Sequence, residues 1–558
     1  MRVYSLERRI QACVDAGQVV GLALAIVRGH EVTYARGFGT TSVEPEGVPV
    51  TPTTLFDSGS ISKVILGTLI LRLVERGILD LDEPVVTYLP GFAFSNQALG
   101  RRVTLRHLLS HTSGLPAAGR DWAYPDRQAL KRFVWEELST YGFIAEPGRV
   151  HQYANAAICL AGHVAEAVCG RPYRELVQEH VFDPLGMSRT TYDHAVAMTY
   201  RLALPHEADE AGRVHTLHRW TDNPSGEPSG FAIAPVLDLA QLAMVHLNGG
   251  RIRGAVFLSP ESVGTMHTPQ VGRHVTAASH AVAHLCEGYG LGLMVGSYRG
   301  ARVVSHGGVS QSFNAFLHLL PESGAAFVLL TNHGEDAALS ELVFSLHDEL
   351  RGFADRVTIA RAVLLPPAPG APDREQWPRY EGTYLNVAGG RLATVRRQGE
   401  RLVLELGGSA PEAGSWELVP ISRAVYCYED ETGGWRVPVE FLLESGTDET
   451  VEPVDAETGA AFLFVGGNPY RRCTAPPAAE AVPGSLERFT GTYRDPHNAG
   501  EGAVWEVALA GGRLRLSGDW ADDVCVPCGP TTFLSPIGLL EFDGPGRRLT
   551  VGKATRYH

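Results

Sequence analysis

Ser60 and Lys63, in the segment Ser-Ile-Ser-Lys, are the residues whose types and spacing most directly suggest chemistry. A serine hydroxyl is a weak nucleophile at neutral pH and needs a base to remove its proton. Positions i and i+3 of a helix share one face, so the Lys63 amine can come within hydrogen-bond reach of Ser60. Lys63 must be neutral when it accepts the proton, and burial can lower the pKa of a lysine, whereas arginine stays charged. In the first helical turn, Ser60 also faces the positive end of the helix dipole, which favours a developing oxyanion.

The scarcity of lysine draws attention to this pair. Lysine occurs only at positions 63, 131 and 553, against 45 arginines, and only Lys63 follows a serine by three residues. A helix-capping serine followed by a solvated lysine is the simpler reading of an isolated Ser-x-x-Lys. The pair therefore predicts an acylating serine only in the company of further motifs.

Hydrophobic patterning predicts the elements that position the pair. Residues 19–35 are typical of two strands joined by a turn at 28–30, and apolar residues recur with helical spacing from Ser60 to near Gly77. Further helical patterns cover 104–110, 128–139, 155–169, 173–180 and 337–352, and strand patterns return at 288–296 and 302–331. Strands on both sides of a long helical block predict one sheet whose strands come from opposite ends of a single domain.

The last third of the chain has a different sequence pattern. Residues 364–378 are a Pro-rich stretch typical of a linker, and the short alternating runs with glycine turns beyond it predict an all-β region. RYEGTYLN at 379–386 recurs as RFTGTYRD at 488–495, and GERLVLEL at 399–406 resembles GGRLRLSG at 511–518. This weak repeat predicts two related small β domains, and generic hairpin chemistry is the alternative.

Composition excludes several classes of function. The chain of 558 residues has a formal net charge of −14, which argues against a general nucleic-acid binder or a protein held on anionic lipid. No uncharged apolar stretch reaches the roughly 18 residues of a membrane span. The first twelve residues lack the apolar core of a secretory signal, so we expect a cytoplasmic protein with no membrane partner.

Several phrases follow Ser60 and Lys63 in a fixed order: HLLSHTSGLP at 107–116, PGRVHQYANAAICLAGHVAEAVCGRPY at 147–173, VFDPLGM at 181–187 and SHGGVSQSF at 305–313. Together they resemble the serine β-lactamase and penicillin-binding protein family, in particular its class C-like branch with D-aminopeptidases and esterases. The resemblance covers roughly residues 1–355. It implies an α/β (α+β) catalytic domain over 1–363, with an antiparallel sheet flanked by helices and a helical subdomain. We expect the 364–378 linker and two small β-barrels, at 379–473 and 483–558, to follow.

The resemblance assigns roles to Tyr153 and Asn155, which match the family's Tyr-x-Asn. The Tyr153 phenol, as an anion or through Lys63, is expected to act as base and then as acid to the leaving group. Whether Tyr153 or Lys63 carries the proton is a property of the coupled pair. Asn155 is expected to hold the substrate's acyl side, and an N-cap of the helix that ends near Gly170 is its structural alternative.

His306, Gly307 and Gly308 match the third box of the family, where members carry Lys-Thr-Gly or His-x-Gly. The glycines let a substrate approach the strand closely, and the amides of Ser60 and Val309 are expected to form the oxyanion hole. Histidine is a weaker permanent anchor than lysine for a substrate carboxylate. Histidine in place of lysine at this position therefore favours substrates with an amide, ester or thioester that lacks a nearby carboxylate. We expect structural roles for His111, Asp57 and Arg106.

These expectations combine into a serine hydrolase that acts on amide bonds of a small-molecule or peptide substrate through an acyl-enzyme, with D-aminopeptidases as the family precedent. An acyltransferase or penicillin-binding-protein-type thioesterase, an esterase with weak β-lactamase activity, and a non-catalytic scaffold are the alternatives. No metal or organic cofactor is expected. The sequence leaves the oligomeric state and the substrate open.

Overall fold

The computed structural model describes residues 3–117, 126, 128–209, 212–270, 286–352, 374–386 and 391–406, and beyond these the strands named below. The chain divides into two compact units, Met1–Val363 and Leu364–His558. In the part of the chain that is described, no helix combines the length and apolarity needed to cross a membrane.

The first unit is built on an antiparallel sheet, which the described residues form with seven strands in the order β2-β1-β13-β12-β11-β10-β9. Its strands are β1 Gly21–Arg28, β2 Glu31–Gly39, β9 Cys286–Tyr289, β10 Met294–Tyr298, β11 Ala301–Ser310, β12 Phe313–Leu320 and β13 Ala325–Thr331. Strand β1 pairs with β13, so the two ends of the unit meet in mid-sheet, as the sequence predicts. Three two-stranded pairings involve β3 Phe56–Asp57 with β6 Ile233–Ala234, β4 His206–Ala208 with β5 Val214–Thr216, and β7 Arg251–Ile252 with β8 Ala255–Val256.

Helices cover both faces of this sheet. The α-helices of the described part of the unit are α1 Val3–Asp15, α2 Ser62–Glu75, α3 Val85–Tyr88, α4 Gln97–Gly100, α5 Leu105–Leu109, α6 Ala129–Arg132, α7 Asn155–Cys169, α8 Tyr173–Val177, α9 Asp183–Leu185, α10 His194–Ala197, α11 Val236–Leu247, α12 Pro260–His267 and α13 Asp336–Arg351. Leu22, Leu24 and Ile26 of β1 share a core with α1 and α13, whereas Ala23 and Ala25 share a core with α2, α7 and α11. This alternation of side chains between two faces is what buries the strand completely.

The predicted elements are present with small differences. The 128–139 pattern is not one regular α-helix, because α6 continues as a π-helix over Phe133–Glu137 and a 3₁₀ turn over Leu138–Thr140. The predicted turn between β1 and β2 contains Gly29 with φ +55°, a conformation that favours glycine. The predicted fold class of the catalytic region, an antiparallel sheet flanked by helices, is confirmed.

The second unit is built mainly from β-strands in its described residues. Eight strands form a closed barrel: β14 Gly382–Asn386, β15 Arg391–Gln398, β16 Arg401–Leu406, β17 Gly414–Ser422, β18 Val425–Glu429, β19 Arg436–Leu443, β20 Ala460–Val465 and β21 Asn468–Arg472. Nine more form a sheet in the order β25-β24-β23-β22-β30-β29-β28-β27-β26: β22 Gly491–Arg494, β23 Val504–Ala510, β24 Arg513–Gly518, β25 Ala521–Val524, β26 Val526–Pro527, β27 Thr532–Ser535, β28 Gly538–Phe542, β29 Arg548–Val551 and β30 Ala554–Tyr557. A β-rich region after the catalytic domain is thus confirmed, and its division into domains at 379–473 and 483–558 stays a prediction.

The internal repeat falls on corresponding strands of the two sheets. The GTY tripeptide begins β14 in the barrel and β22 in the nine-stranded sheet, and the second repeated phrase forms β16 and β24. Part of the predicted linker, 364–373, lies outside the described residues. Its last residues contribute to a short helix, Trp377–Tyr380, whose two aromatic side chains pack into the barrel core because they offer large apolar surfaces.

Candidate active site

Ser60 lies at the start of a long helix, as its spacing to Lys63 predicts. A 3₁₀ turn over Gly59–Ile61 leads directly into α2. Gly59 has φ +50°, and a Cβ there would come 2.8 Å from the amide nitrogen of Val309, so this turn requires glycine. The turn presents Ser60 in the wall of a cavity.

The side chain of Lys63 is completely buried beneath this serine. Its Nζ lies 3.0 Å from the Oγ of Ser60 and donates a 2.6 Å hydrogen bond to the main-chain oxygen of Ser229. The same Nζ lies 4.8 Å from the centre of the Tyr153 ring. The alternative of a capping serine beside a solvated lysine is therefore wrong: Lys63 is not solvated, and neither cap of the turn or of α2 is Ser60.

Tyr153 and Asn155 lie where the chain enters α7. Ala154 occupies the N-cap position of this helix, and no side chain caps it, so the alternative of Asn155 as an N-cap does not hold. Asn155 instead lines the same cavity as Ser60, and its buried Oδ1 has no hydrogen-bond partner among the described residues. An amide in this position is available to a bound substrate.

His306 lies behind Tyr153, with 6.3 Å between the ring centres, and is not among the described residues that line the cavity. The side chain is buried, with Nδ1 2.5 Å from the main-chain oxygen of Gly307 and Nε2 2.8 Å from the hydroxyl of Tyr289. A carbonyl oxygen only accepts, so Nδ1 carries the hydrogen of this bond. In the neutral tautomer with its hydrogen on Nδ1, Nε2 accepts the Tyr289 hydroxyl hydrogen. The structure thus places His306 beside Tyr153 and bonded to Tyr289, and its role toward the substrate stays a prediction.

The glycines after His306 bring strand β11 against the serine turn. Gly307 and Gly308 pair with Phe316 and Ala315 of β12. A Cβ on Gly308 would come 2.0 Å from the main-chain oxygen of Ser58 and 3.1 Å from the amide nitrogen of Ser60. Only glycine permits this approach, which brings the 58–60 and 308–309 backbones together. The arrangement is the one expected of an oxyanion hole formed by the amides of Ser60 and Val309.

His111, for which the sequence predicts a structural role, is hydrogen-bonded to the residues on both sides of Tyr153. Its Nδ1 accepts the Ala154 amide at 3.1 Å, its main-chain oxygen accepts the Gln152 amide at 2.8 Å, and its ring centre lies 4.3 Å from that of Tyr153. Burial holds the pKa of His111 well below its usual value of 6.5, and His151, Lys63 and His306 lower it further whenever they are protonated. A neutral His111 therefore fixes the backbone on both sides of the tyrosine.

The cavity beside Ser60 has a volume of about 290 Å³. Its lining residues are Gly59, Ser60, Asn155, Thr221, Asn223, Ser229, Gly230, Phe231, Val309, Ser310 and Gln311, so none of the described lining side chains is charged. Phe231 and Gln311 have positive φ, at 71° and 50°, as does His111 at 59°. Such backbone strain in non-glycine residues is common around functional sites.

Sequence patterns did not reveal the 221–231 part of this wall. It belongs to a stretch without hydrophobic periodicity, in which a single 3₁₀ turn, Pro224–Gly226, is described. Arg106, for which the sequence also predicts a structural role, pairs with Asp82 at 2.6 Å and donates to Gln270. In the described part of the chain, no group of three or more His, Cys, Asp or Glu side chains is arranged to hold a metal ion.

The family model described as Beta-lactamase matches residues 6–345. Among individual proteins, Penicillin-binding protein 4 of Amycolatopsis lactamdurans is 29% identical over 353 residues, which cover 62% of this chain and 90% of the relative. Penicillin-binding protein 4* of Bacillus subtilis (strain 168) is 25% identical over 483 residues, which cover 80% of this chain and 97% of the relative.

Solved structures support the same fold. The crystal structure of SurE has a TM-score of 0.63 at 23% identity and covers 84% of this chain and 98% of its own. The D-amino acid amidase of Ochrobactrum anthropi SV3, with L-phenylalanine, has a TM-score of 0.51 at 22% identity, over 62% of this chain and 99% of its own. EstCE1, described as a hydrolase with promiscuous acyltransferase activity, has a TM-score of 0.52 at 24% identity and covers 62% of this chain and 98% of its own. With the family model matching more than half of its length, this chain belongs to the β-lactamase family.

Proposed function

We propose that this chain is a serine hydrolase that cleaves an amide bond of a small-molecule or peptide substrate through an acyl-enzyme on Ser60. The observation that carries the proposal is the 3.0 Å contact between Lys63 Nζ and Ser60 Oγ at the wall of a cavity. Activation of a serine nucleophile requires a base within hydrogen-bond reach of its hydroxyl, and the buried Lys63 amine lies where it can act as that base.

The proposed reaction uses this geometry. The Lys63–Tyr153 pair accepts the Ser60 proton while Oγ forms a bond to the substrate carbonyl carbon, and the carbonyl oxygen receives hydrogen bonds from the Ser60 and Val309 amides. The C–N bond then breaks, and the pair returns the proton to the departing amine. In the second half, the pair takes a proton from water, the new hydroxide attacks the ester carbon, and the proton returns to Ser60 Oγ as the acid leaves.

The cavity wall supports a substrate recognised by hydrogen bonds. Amides and hydroxyls dominate its polar groups, and neither a cation for a substrate carboxylate nor an anion for a substrate ammonium is among its described residues. A neutral, amide-bearing acyl group therefore suits the wall better than a penicillin-like carboxylate. The D-aminopeptidase precedent, and the amidase among the proteins of similar fold, supply the proposal that the acyl residue has the D configuration.

Acyl transfer is the second candidate, because an acyl-enzyme on Ser60 can pass its acyl group to an amine as well as to water. The hydrolase EstCE1, of similar fold, carries promiscuous acyltransferase activity in its description. Esterase activity is a third outcome of the same chemistry, and a protein that forms no adduct would be a non-catalytic scaffold.

The test is a matched set of p-nitroanilide, p-nitrophenyl ester and thioester substrates with D- and L-acyl groups. Each is measured with and without added amine, and the products are identified by mass spectrometry. The proposal predicts hydrolysis of the D-configured anilide, with the free acid as the main product whether or not amine is added. Diversion of most acyl product to the amine would favour a transferase, and turnover of esters alone would favour an esterase.

A further inference from the structure

The carboxylate of Asp57 joins the two backbone segments that supply the expected oxyanion hole. Its Oδ1 accepts the amide hydrogen of Gly59 at 2.8 Å, and its Oδ2 accepts the hydroxyl hydrogen of Ser310 at 2.6 Å. Gly59 directly precedes Ser60, and Ser310 directly follows Val309. The Asp57 side chain is thus bonded to Gly59 and Ser310, which directly adjoin the two residues that supply the expected oxyanion-hole amides.

Asp57 is itself held rigidly. It lies in β3, opposite Ile233 of β6, and the next residue, Ser58, bonds to the main-chain oxygen of Ala232 through both its amide and its hydroxyl. Ser310 ends strand β11, just before the hairpin turn at Gln311. The backbones of the serine turn and of this hairpin also lie close together at Gly59 and Gly308, since a Cβ on Gly59 would come 2.8 Å from the amide nitrogen of Val309 and one on Gly308 2.0 Å from the main-chain oxygen of Ser58.

Placing an acid here works against stability. Asp57 is completely buried, and burial raises the pKa of its carboxyl group against the opposing effect of the hydrogen bonds from Ser310 and Gly59. His194 and Trp220 also act to lower the pKa of Asp57, in the same direction as these two hydrogen bonds. A buried carboxyl group that only filled space would be replaced by an apolar residue at a gain in stability. The two hydrogen bonds to separate segments give this group a reason to be present.

We infer that Asp57 is a positioning residue that sets the spacing and direction of the Ser60 and Val309 amides. The inference rests on the proposed function for its catalytic consequence. A carboxylate has two acceptor oxygens at a fixed separation, so it can hold two segments in one geometry as a single rigid bridge. Oxyanion-hole donors act only when aimed at the position of the developing charge. Loosening either segment should therefore reduce the rate of the chemical step and leave ground-state binding nearly unchanged.

The test compares Asp57→Ala with Asp238→Ala, a control that also removes a buried aspartate. Asp238 accepts the amides of Arg189 and Thr190 at 2.8 and 2.9 Å and does not line the cavity. Asp57→Ala should lower kcat about 100-fold with KM within about threefold, the size of effect seen when one oxyanion-hole donor is lost. Asp238→Ala should lower thermal stability and leave kcat within about twofold.

Two further variants keep the inference testable if Asp57→Ala does not fold. Asp57→Asn retains an oxygen for Gly59 and an amide that can donate to Ser310, so kcat should stay within about fivefold of the parent. Ser310→Ala removes one of the two bonds, and it should weaken binding of a boronic acid, which forms a tetrahedral adduct with serine, by about tenfold. Equal boronic-acid affinity in Ser310→Ala and the parent, or equal kcat in Asp57→Ala and Asp238→Ala, would overturn the inference.

Hydrogen exchange separates this inference from the proposed function. Amides in peptides that cover 57–61 and 306–311 should exchange faster in Asp57→Ala, or in Ser310→Ala, than in the parent protein, whether or not a substrate is known. Unchanged exchange in both variants would overturn the positioning role, and absence of any adduct in the parent protein would overturn the proposed function alone.

Discussion

Lys63 Nζ donates a hydrogen bond to the main-chain oxygen of Ser229, a residue 166 positions further along the chain. The 2.6 Å bond holds the amine at the end of a buried side chain, 3.0 Å from the Ser60 hydroxyl. A neutral amine can use one N–H for Ser229 and keep its lone pair for the Ser60 proton. The contact between distant segments therefore orients the base that the proposed reaction needs.

Replacing this lysine should be damaging even when the charge is kept. Lys63→Arg and Lys63→Ala should both lower kcat/KM by at least about 1000-fold, because guanidinium does not give up its proton and its planar fork does not fit the site of one amine. Lys131→Ala, at an exposed position of α6, is the matched control and should behave as the parent. An active Lys63→Arg enzyme would mean that Lys63 supplies only a positive charge.

Removing the Tyr153 hydroxyl should slow the reaction without unfolding the protein. Tyr153→Phe keeps the ring that packs against His111, so thermal stability should change little, while kcat should fall about 100-fold or more through loss of a proton-transfer group. Tyr298→Phe also removes a hydroxyl, bonded to Asp348 on the other side of the sheet, and should leave kcat unchanged. Equal activity of the two variants would exclude Tyr153 from the proton transfer.

Introducing a cation at the cavity wall should change substrate preference. Gln311→Lys places an ammonium beside the cavity, and it should raise the ratio of kcat/KM for a carboxylate-bearing acyl ester to that for its neutral analogue about tenfold. Gln311→Glu, the control of opposite charge at the same position, should lower this ratio. If both variants keep the parent ratio, the acyl group does not lie along this wall.

Acid should destabilise the protein through its buried histidines. Burial lowers the pKa of His151 to about 3 and that of His246 to about 4, and it holds those of His111, His267 and His347 well below 6.5. Because the unfolded chain binds protons with a pKa near 6.5, stability is full above that value and is lost as the pH falls below it. His151 and His246 should each contribute a loss of roughly 2 kcal/mol at pH 5.

The measurement for this prediction is the free energy of unfolding between pH 7.5 and pH 5. Glu227, Asp57 and Asp238 oppose the trend, because burial raises the pKa of each carboxyl group, that of Glu227 to about 7, but these three groups are fewer than the buried histidines. Exposed His218→Gln is the control and should leave the pH dependence unchanged. Stability that is constant or rises toward pH 5 would contradict the assignment of these histidines as neutral.

The sequence was sufficient for the parts of the site that depend on local spacing. The three-residue separation of Ser60 and Lys63 on a helix brings their side chains together. The two glycines after His306 were expected to admit the substrate, and the packing of Gly308 against the backbone of Ser58 and Ser60 was not predicted. The role of Ser229 could not be predicted, since it depends on a main-chain oxygen in an irregular segment. The orientation of His306 toward Tyr289 was also missed, because it depends on the pairing of β9 with β10 and not on a motif.

The most direct test of the account is the mass of the protein after incubation with an activated acyl ester or a fluorophosphonate, followed by peptide mapping. The parent protein should gain one adduct, on the peptide that contains Ser60, and Ser60→Ala should gain none under the same conditions. An adduct on another residue of the parent, or equal labelling of Ser60→Ala, would contradict the assignment of Ser60 as the nucleophile.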